Sequence, residues 1–193
     1  MELHSNLFRK MTNNIDSILK LFQYYKSLGD KTIEQLSFKE MQIEFQVDSN
    51  SISIIVKHIV GNMLSRWTNF LTEDGEKKWR ERDQEFIDTY KNKEQLLFEW
   101  DKGWQCLFDA LNSLTEKDLE KIIYIRNQGH TVAEAVNRQM AHYAYHIGQI
   151  VLLGKQLKGN NWNSLSIPKG KSIIYNKEKF DIEKGKRHFT EDL

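Results

Sequence analysis

The chain has 193 residues, and its 28 lysine and arginine residues nearly balance its 27 acidic residues. A chain of this length can bury the core of one domain without disulfides. The net charge of +1 gives no electrostatic reason to expect nucleic acid or an anionic membrane as a partner. The single cysteine, Cys106, excludes an intramolecular disulfide framework and is typical of a reducing compartment. Its apolar neighbours favour a buried, unreactive thiol.

The first residues lack the apolar core of a signal peptide, and no apolar run is long enough to span a bilayer. We therefore expect a soluble, cytoplasmic protein.

Apolar residues at steps of three and four predict a first amphipathic helix over about residues 3–28, ended by Gly29. The connection that follows, 30–49, fits either a short helix or an extended piece. Several capping residues then precede a second amphipathic helix, from Ser51 to about Leu71.

A charge-rich connection, 73–86, separates the second helix from the third. Its composition predicts a solvated loop with Trp79 as its anchor. The third helix is predicted from about Lys93 to Leu114. Gly103 inside it costs about 1 kcal/mol relative to alanine, which indicates close packing at that point.

Two short sequence patterns precede a predicted fourth helix. Residues 115–118 have the spacing of a capping box and predict one helical turn, and residues 121–126 alternate weakly, as in a short extended segment or hairpin arm. Thr131, with Glu134 three residues later, then caps a helix that runs to about Leu157. Four long amphipathic helices with connections of unequal length predict an all-α fold, a four-helix bundle over residues 1–157.

The helical pattern breaks after Gly159. Residues 158–193 contain the one proline, and their eight basic against five acidic residues give only a small positive excess. We expect an extended C-terminal segment that packs on the bundle or on a second subunit, with its end beyond about Lys177 frayed or docked on that subunit. The residues expected to pack are Trp162, Leu165, Ile167, Ile173 and Ile174.

The fourth helix carries His142 and His146, which are four residues apart. Their imidazole rings therefore lie on one face, about 6 Å apart along the helix axis, which is a spacing at which two histidines can bind one metal ion. Small neighbours at Ala141, Ala144 and Gly148 leave room for another helix or a ligand. The pattern lacks the glutamate of H-E-x-x-H, so it includes no general base. A solvated edge or a packed, hydrogen-bonded pair is the alternative interpretation.

His58 lies on the second helix, and its face continues through Gly61, Asn62 and Ser65. These small or polar groups indicate space left open beside the core, whereas an exposed helix face is the alternative.

In a helical bundle, His58 can meet His142 and His146. Three imidazoles would then cover one side of a metal ion and leave the other side open for water or a substrate atom. The chain lacks the Glu-x-x-His pairs of di-iron bundles, which disfavours that chemistry. His130 lies twelve residues before His142, about 18 Å along a helix, and is too distant to join the site.

Two stretches resemble the matching helices of the DinB-like superfamily: SISIIVKHIVGNMLSRW on the second helix and TVAEAVNRQMAHYAYHIGQIVLLGKQL on the fourth. That superfamily includes the damage-inducible DinB proteins and the transferases and isomerases that use bacillithiol or mycothiol. The tail segment W-x-S-L-S-I-P-K-G-K-S is similar to that of a Bacillus-type subfamily. The resemblance extends from the first helix to about Leu157. It implies a four-helix bundle with a non-sequential helix order and long crossover connections, and homodimers in many members.

The resemblance also implies that His58, His142 and His146 bind a divalent metal ion such as zinc or nickel. We then expect a metal-dependent enzyme that activates a low-molecular-weight thiol, as a thiol S-transferase, or water, as a hydrolase. Gln149 and Arg66 could project near the mouth of the site, although surface or supporting positions suit them better, and no catalytic acid or base is assigned.

Two other functions stay open: a non-enzymatic metal-binding protein of stress response or assembly, and a bundle in which the histidines are only structural. The expected partners are a small-molecule substrate and a second copy of the chain, with no nucleic acid and no membrane.

Overall fold

Six α-helices and one hairpin make up the computed structural model, which describes the backbone of residues 2–192 and the side chains of residues 15–115 and 117–191. The long helices are α1 (Glu2–Glu34), α3 (Ile52–Trp67), α4 (Lys93–Asn112) and α5 (Val132–Lys158). The short ones are α2 (Phe38–Met41) and α6 (Ser172–Phe180). Strand β1 (Ile122–Ile125) pairs antiparallel with β2 (Gln128–Thr131), with Ile122 opposite Thr131.

The four long helices form the bundle. Helix α1 packs on α4 and α5, and α3 packs on the same two helices. Consecutive long helices α1 and α3 are therefore diagonal to each other, as are α4 and α5, and the chain crosses the bundle in two long connections. This arrangement confirms the predicted all-α bundle with crossover connections. No helix in the described part of the chain is long and apolar enough to cross a membrane.

Side-chain caps set the starts of the helices near the site. Ser51 accepts a hydrogen bond from the backbone of Ile54 at the start of α3, and Thr131 forms a capping box with Glu134 at the start of α5. The capping box of Thr131 was predicted, whereas for α3 the sequence offered several capping candidates, of which Ser51 is the one used. In the connection after α1, where the sequence left two possibilities open, a capping box between Ser37 and Glu40 opens the short helix α2.

The predicted end of the first helix at Gly29 is wrong, because α1 continues through it to Glu34. Gly29 is a packing position instead. A Cβ atom there would lie 2.6 Å from Cζ2 of Trp100 on α4 and 3.3 Å from Cδ1 of Ile147 on α5. Only a glycine lets the helix backbone approach these side chains so closely, and the tertiary contact outweighs the helix-ending tendency of the residue.

The centre of the core is aromatic. Trp100 and Trp104 on α4 are fully buried, and Trp104 packs against the buried ring of Tyr143 on α5 at 6.0 Å. Gly103, between the two tryptophans, confirms the predicted close packing, since a Cβ there would lie 3.3 Å from Sδ of Met63.

The charge-rich connection before α4 is only in part the solvated loop that was predicted. Asp74 accepts hydrogen bonds from the backbone of Arg126 and Asn127, the two positive-φ residues of the β1–β2 turn. Trp79, the predicted anchor, is 58% exposed, whereas Arg80 and Glu85 are buried. The prediction was wrong for Arg80 and Glu85, whose charges are paired inside the fold, whereas Glu81, Arg82 and Asp83 are exposed as expected.

The C-terminal segment is also more helical than predicted, because it contains α6. Ile173 and Ile174 on that helix are 83% and 56% exposed, so they do not pack on the bundle as expected.

Both flanks of α6 contact the bundle. Asn163 donates a backbone hydrogen bond to the side chain of Gln35. Near the end of the chain, His188 contacts Ser17 and Phe189 packs on Tyr24, both on α1.

Candidate metal centre

The fold brings three histidine rings from two helices to one point. Nε2 of His142 lies 3.4 Å from Nε2 of His58 and 3.1 Å from Nε2 of His146. One nitrogen from each ring lies within 4.8 Å of the other two. A metal ion bound by imidazole nitrogens at 2.0–2.1 Å in tetrahedral geometry holds them roughly 3.3 Å apart. The three side chains could therefore hold one metal ion.

His58 lies in the second turn of α3 and is only 4% exposed, so the alternative of an exposed helix face is excluded. Its Nδ1 is 2.9 Å from Oε2 of Glu85. Arg80 in turn donates from Nε to Oε1 of that carboxylate at 2.6 Å and from Nη2 to Oε2 at 2.9 Å. A histidine, a carboxylate and a guanidinium thus form one buried chain of charge-assisted hydrogen bonds.

The space beside Gly61, which the sequence indicated as open, is filled by the side chain of Glu85. A Cβ atom on Gly61 would lie 2.7 Å from Cδ of that carboxyl group, well inside van der Waals contact. The glycine on the histidine face of α3 therefore admits a neighbouring side chain.

The two histidines of α5 are held differently. Nδ1 of His146 is 2.8 Å from Oε1 of Gln149, so Gln149 supports this ring from the next turn of its own helix. Nδ1 of His142 is buried and has no hydrogen-bond partner among the described residues, and the same holds for Oε1 of Gln139.

Burial and mutual repulsion keep the α5 rings neutral. Burial, followed by the charges that His146 and His58 would carry, lowers the pKa of His142 to about 3. Burial also lowers the pKa of His146, although its hydrogen bond to Gln149 acts in the opposite direction. Neutral imidazole is the form that binds a metal ion, so the environment favours the state that ligation requires.

Glu85 stays ionised in spite of its burial. Desolvation acts to raise its pKa, but the hydrogen bonds from His58 and Arg80 outweigh that effect and hold the pKa below its usual value. The carboxylate therefore carries a negative charge beside His58, and Arg80 balances that charge.

Hydrogen bonds of Tyr143, the residue after His142, hold α5 against α3. The hydroxyl of Tyr143 donates to Oδ1 of Asn62 at 2.9 Å and accepts from Nε1 of Trp67 at 3.1 Å. All three side chains are buried. These bonds fix the register of α5 against α3 one residue from His142, and hence the distance between His142 and His58.

A model of the family described as "protein of unknown function (DUF1572)" matches residues 10–171. The chain belongs to the DUF1572 family. Its fold is similar to the crystal structure of a DinB-like protein from Bacillus cereus ATCC 10987, with 19% sequence identity and a TM-score of 0.56 over 72% of this chain and 89% of that one. This likeness confirms the predicted DinB-like fold. No curated protein sequence matches the chain at a significant level.

The structure of this DUF1572 protein brings all three predicted site histidines together, and His130 lies outside their cluster, beside Arg138. Arg66, a candidate for the mouth of the site, is buried and donates to the carbonyl of Gly75 and to Glu76 instead.

Sequence analysis missed Glu85 and Arg80. They lie in a connection whose charged sequence gave no sign of burial. The one sequence feature that could have indicated a side chain packed beside His58 was Gly61, one helical turn later.

Proposed function

We propose that this DUF1572 protein is a metal-dependent enzyme acting on a small molecule, and that His58, His142 and His146 hold a divalent ion, with zinc and nickel as the best candidates. The convergence of three Nε2 atoms at metal-ligand spacing carries the proposal. In the described part of the chain no cysteine or carboxylate joins this cluster. A three-nitrogen set with positions left over is typical of catalytic sites, whereas structural zinc sites are closed by four protein ligands.

The chemistry fits a small nucleophile. A divalent ion in this site would supply Lewis acidity and lower the pKa of a thiol or of water. The chain itself contributes no described general base there, since both oxygens of Glu85 are engaged by His58 and Arg80. A thiol, with a pKa near 8.5, needs less help to ionise than water does. A reaction of the thiol S-transferase type is therefore our first choice, with hydrolysis second.

Metal content of the purified protein tests the site. We expect about one divalent ion per chain in the wild type and loss of that ion in His142→Ala. His130→Ala is the matched control, because this histidine lies outside the cluster and should leave the metal content unchanged. Metal retained in His142→Ala, or lost equally in both variants, would refute the proposed ligands.

Turnover tests the enzyme. The wild type should conjugate an electrophile such as monochlorobimane to one or more bacterial low-molecular-weight thiols, and a chelator should abolish the reaction. Ester substrates probe the hydrolase branch under the same conditions. Metal binding without chelator-sensitive turnover on either substrate class would favour the second candidate, a non-enzymatic metal-binding protein of stress response or assembly.

We also propose that the protein is a homodimer. Tyr145 and Leu152, seven residues apart on α5, are 63% and 58% exposed and give one face of this helix an apolar surface that a second copy of the chain could cover. Light scattering coupled to size exclusion should give twice the 22.9 kDa chain mass. The mass of a single chain at micromolar concentration would contradict a stable dimer.

A further inference from the structure

Glu85 lies behind His58, on the far side of the ring from the point where the three histidines meet. Its Oε2 faces Nδ1 of His58 at 2.9 Å, whereas Nε2 of the same ring faces His142 at 3.4 Å. The Glu85 side chain is 7% exposed, and Arg80 donates to both of its oxygens. With both oxygens engaged, this carboxylate can act on a substrate only through His58.

The contact with Glu85 decides which nitrogen of His58 carries the proton. A buried carboxylate is an acceptor only, so Nδ1 of the neutral ring must donate to it. Nε2 then keeps its lone pair and is directed at the meeting point. Ligand nitrogens must be unprotonated, and the group bound to the other ring nitrogen fixes the tautomer and the orientation of the ring.

Two further residues hold Glu85 in this position. Arg80 is itself buried and forms two hydrogen bonds to the carboxylate, so the charge of Glu85 is balanced and its rotamer is fixed. Gly61 leaves the space on α3 that the carboxylate occupies, since a Cβ atom there would collide with it.

The other two rings have no comparable support among the described residues. His146 has a neutral partner, the amide of Gln149, and Nδ1 of His142 has no partner. Among the side chains that the structure describes, a charged acceptor therefore contacts one of the three rings only.

We propose that Glu85 is the positioning residue of His58. It holds the ring with Nε2 unprotonated and directed at His142 and His146. Arg80 fixes the carboxylate in place, and Gly61 gives it the room to approach. This inference rests on the proposed metal site. It adds the contact that sets the tautomer and the orientation of His58 before a metal ion binds.

Two substitutions test the inference from opposite directions. Glu85→Gln keeps the shape of the side chain and removes the charge. Gly61→Ala keeps every group of the chain and displaces the carboxylate sterically. The matched controls are Glu81→Gln, an exposed glutamate of the same connection, and Gly148→Ala, a glycine of α5 whose added Cβ would meet nothing within 4 Å.

The first measurement is the dissociation constant for zinc, from competition with a chelating dye. We expect Glu85→Gln and Gly61→Ala to weaken zinc binding 10- to 100-fold, the usual effect of removing the group that orients a ligating histidine. Both controls should stay within about twofold of the wild type. Variants that bind zinc as tightly as the wild type would overturn the inference and leave the metal site intact.

The second measurement is the tautomer of His58 in the metal-free protein, from nitrogen-15 NMR of the imidazole. The wild type should show the proton on Nδ1, and Gly61→Ala should shift the population toward the other tautomer. A wild-type ring protonated on Nε2 would refute the role of Glu85 whether or not the variants fold. Absence of both zinc and nickel binding in the wild type would refute the proposed function instead, and the tautomer would still decide this inference.

Discussion

Replacing His146 by alanine should lower stability more in the presence of zinc than in its absence. The ring lies at the partly buried edge of the site, and its hydrogen bonds are to Gln149 and to the neighbouring His142. Its removal leaves little cavity, so the loss in metal-free protein should be below about 1 kcal/mol. With free zinc at 100 times the dissociation constant, binding stabilises the native state by about 2.7 kcal/mol, and the variant loses most of this gain. For a chain of this length that corresponds to a melting temperature lower by about 5–11 °C.

The assay is thermal unfolding followed by circular dichroism, in zinc-containing buffer and in chelator. The wild type and His146→Ala should melt within about 4 °C of each other in chelator and separate further in zinc. His130→Ala controls for zinc bound elsewhere by histidine, because this residue lies outside the cluster beside Arg138. Equal losses for His146→Ala in both buffers would mean that the ring acts through packing, and the ligand assignment would fail.

Three further predictions concern the scaffold. Gly29→Ala should lower the free energy of unfolding by about 1–3 kcal/mol, because the new Cβ would lie 2.6 Å from Cζ2 of Trp100. Urea unfolding measures this loss, and an unchanged free energy of unfolding would contradict the close approach. Tyr143→Phe should lower the free energy of unfolding by about 1–3 kcal/mol in the same assay, since Nε1 of Trp67 would lose its buried acceptor. An unchanged unfolding midpoint would argue against the hydrogen bond between Trp67 and Tyr143. Cys106 should react with iodoacetamide at pH 8 more slowly than free cysteine, because burial raises the pKa of its thiol. Equal reaction rates would contradict this prediction and show an accessible thiolate.

The helix starts could be predicted because the forces that set them act over a few residues. Thr131 and Glu134 form their capping box with each other, three residues apart in the sequence. Gly29 shows the limit of this reasoning. Its sequence context indicates a helix end, yet the helix passes through it, because the indole of Trp100 on another helix needs the space that a side chain would fill.

The three histidines could be predicted from the sequence, whereas the residues that support them could not. The spacing of His142 and His146 fixes a shared helix face, and a bundle then needs only one facing helix to add His58. Glu85 has no such local signature, since one buried carboxylate in a charged loop looks like its solvated neighbours. Its place is set by Arg80 and by the gap at Gly61, and each of these contacts exists only after the connection folds back on α3.

Core contacts set the distance between α3 and α5, the two helices that carry the three histidines. Tyr143 joins α5 to two residues of α3 through its buried hydroxyl, next to His142 in sequence. Glu85 and Arg80 complete the support of His58 from the connection that precedes α4. We therefore expect the proposed metal site to form without its ion, unlike a zinc finger, whose fold depends on its metal. Chelation should therefore remove the ion and leave the bundle folded, and binding should cost little conformational entropy because the three rings already converge.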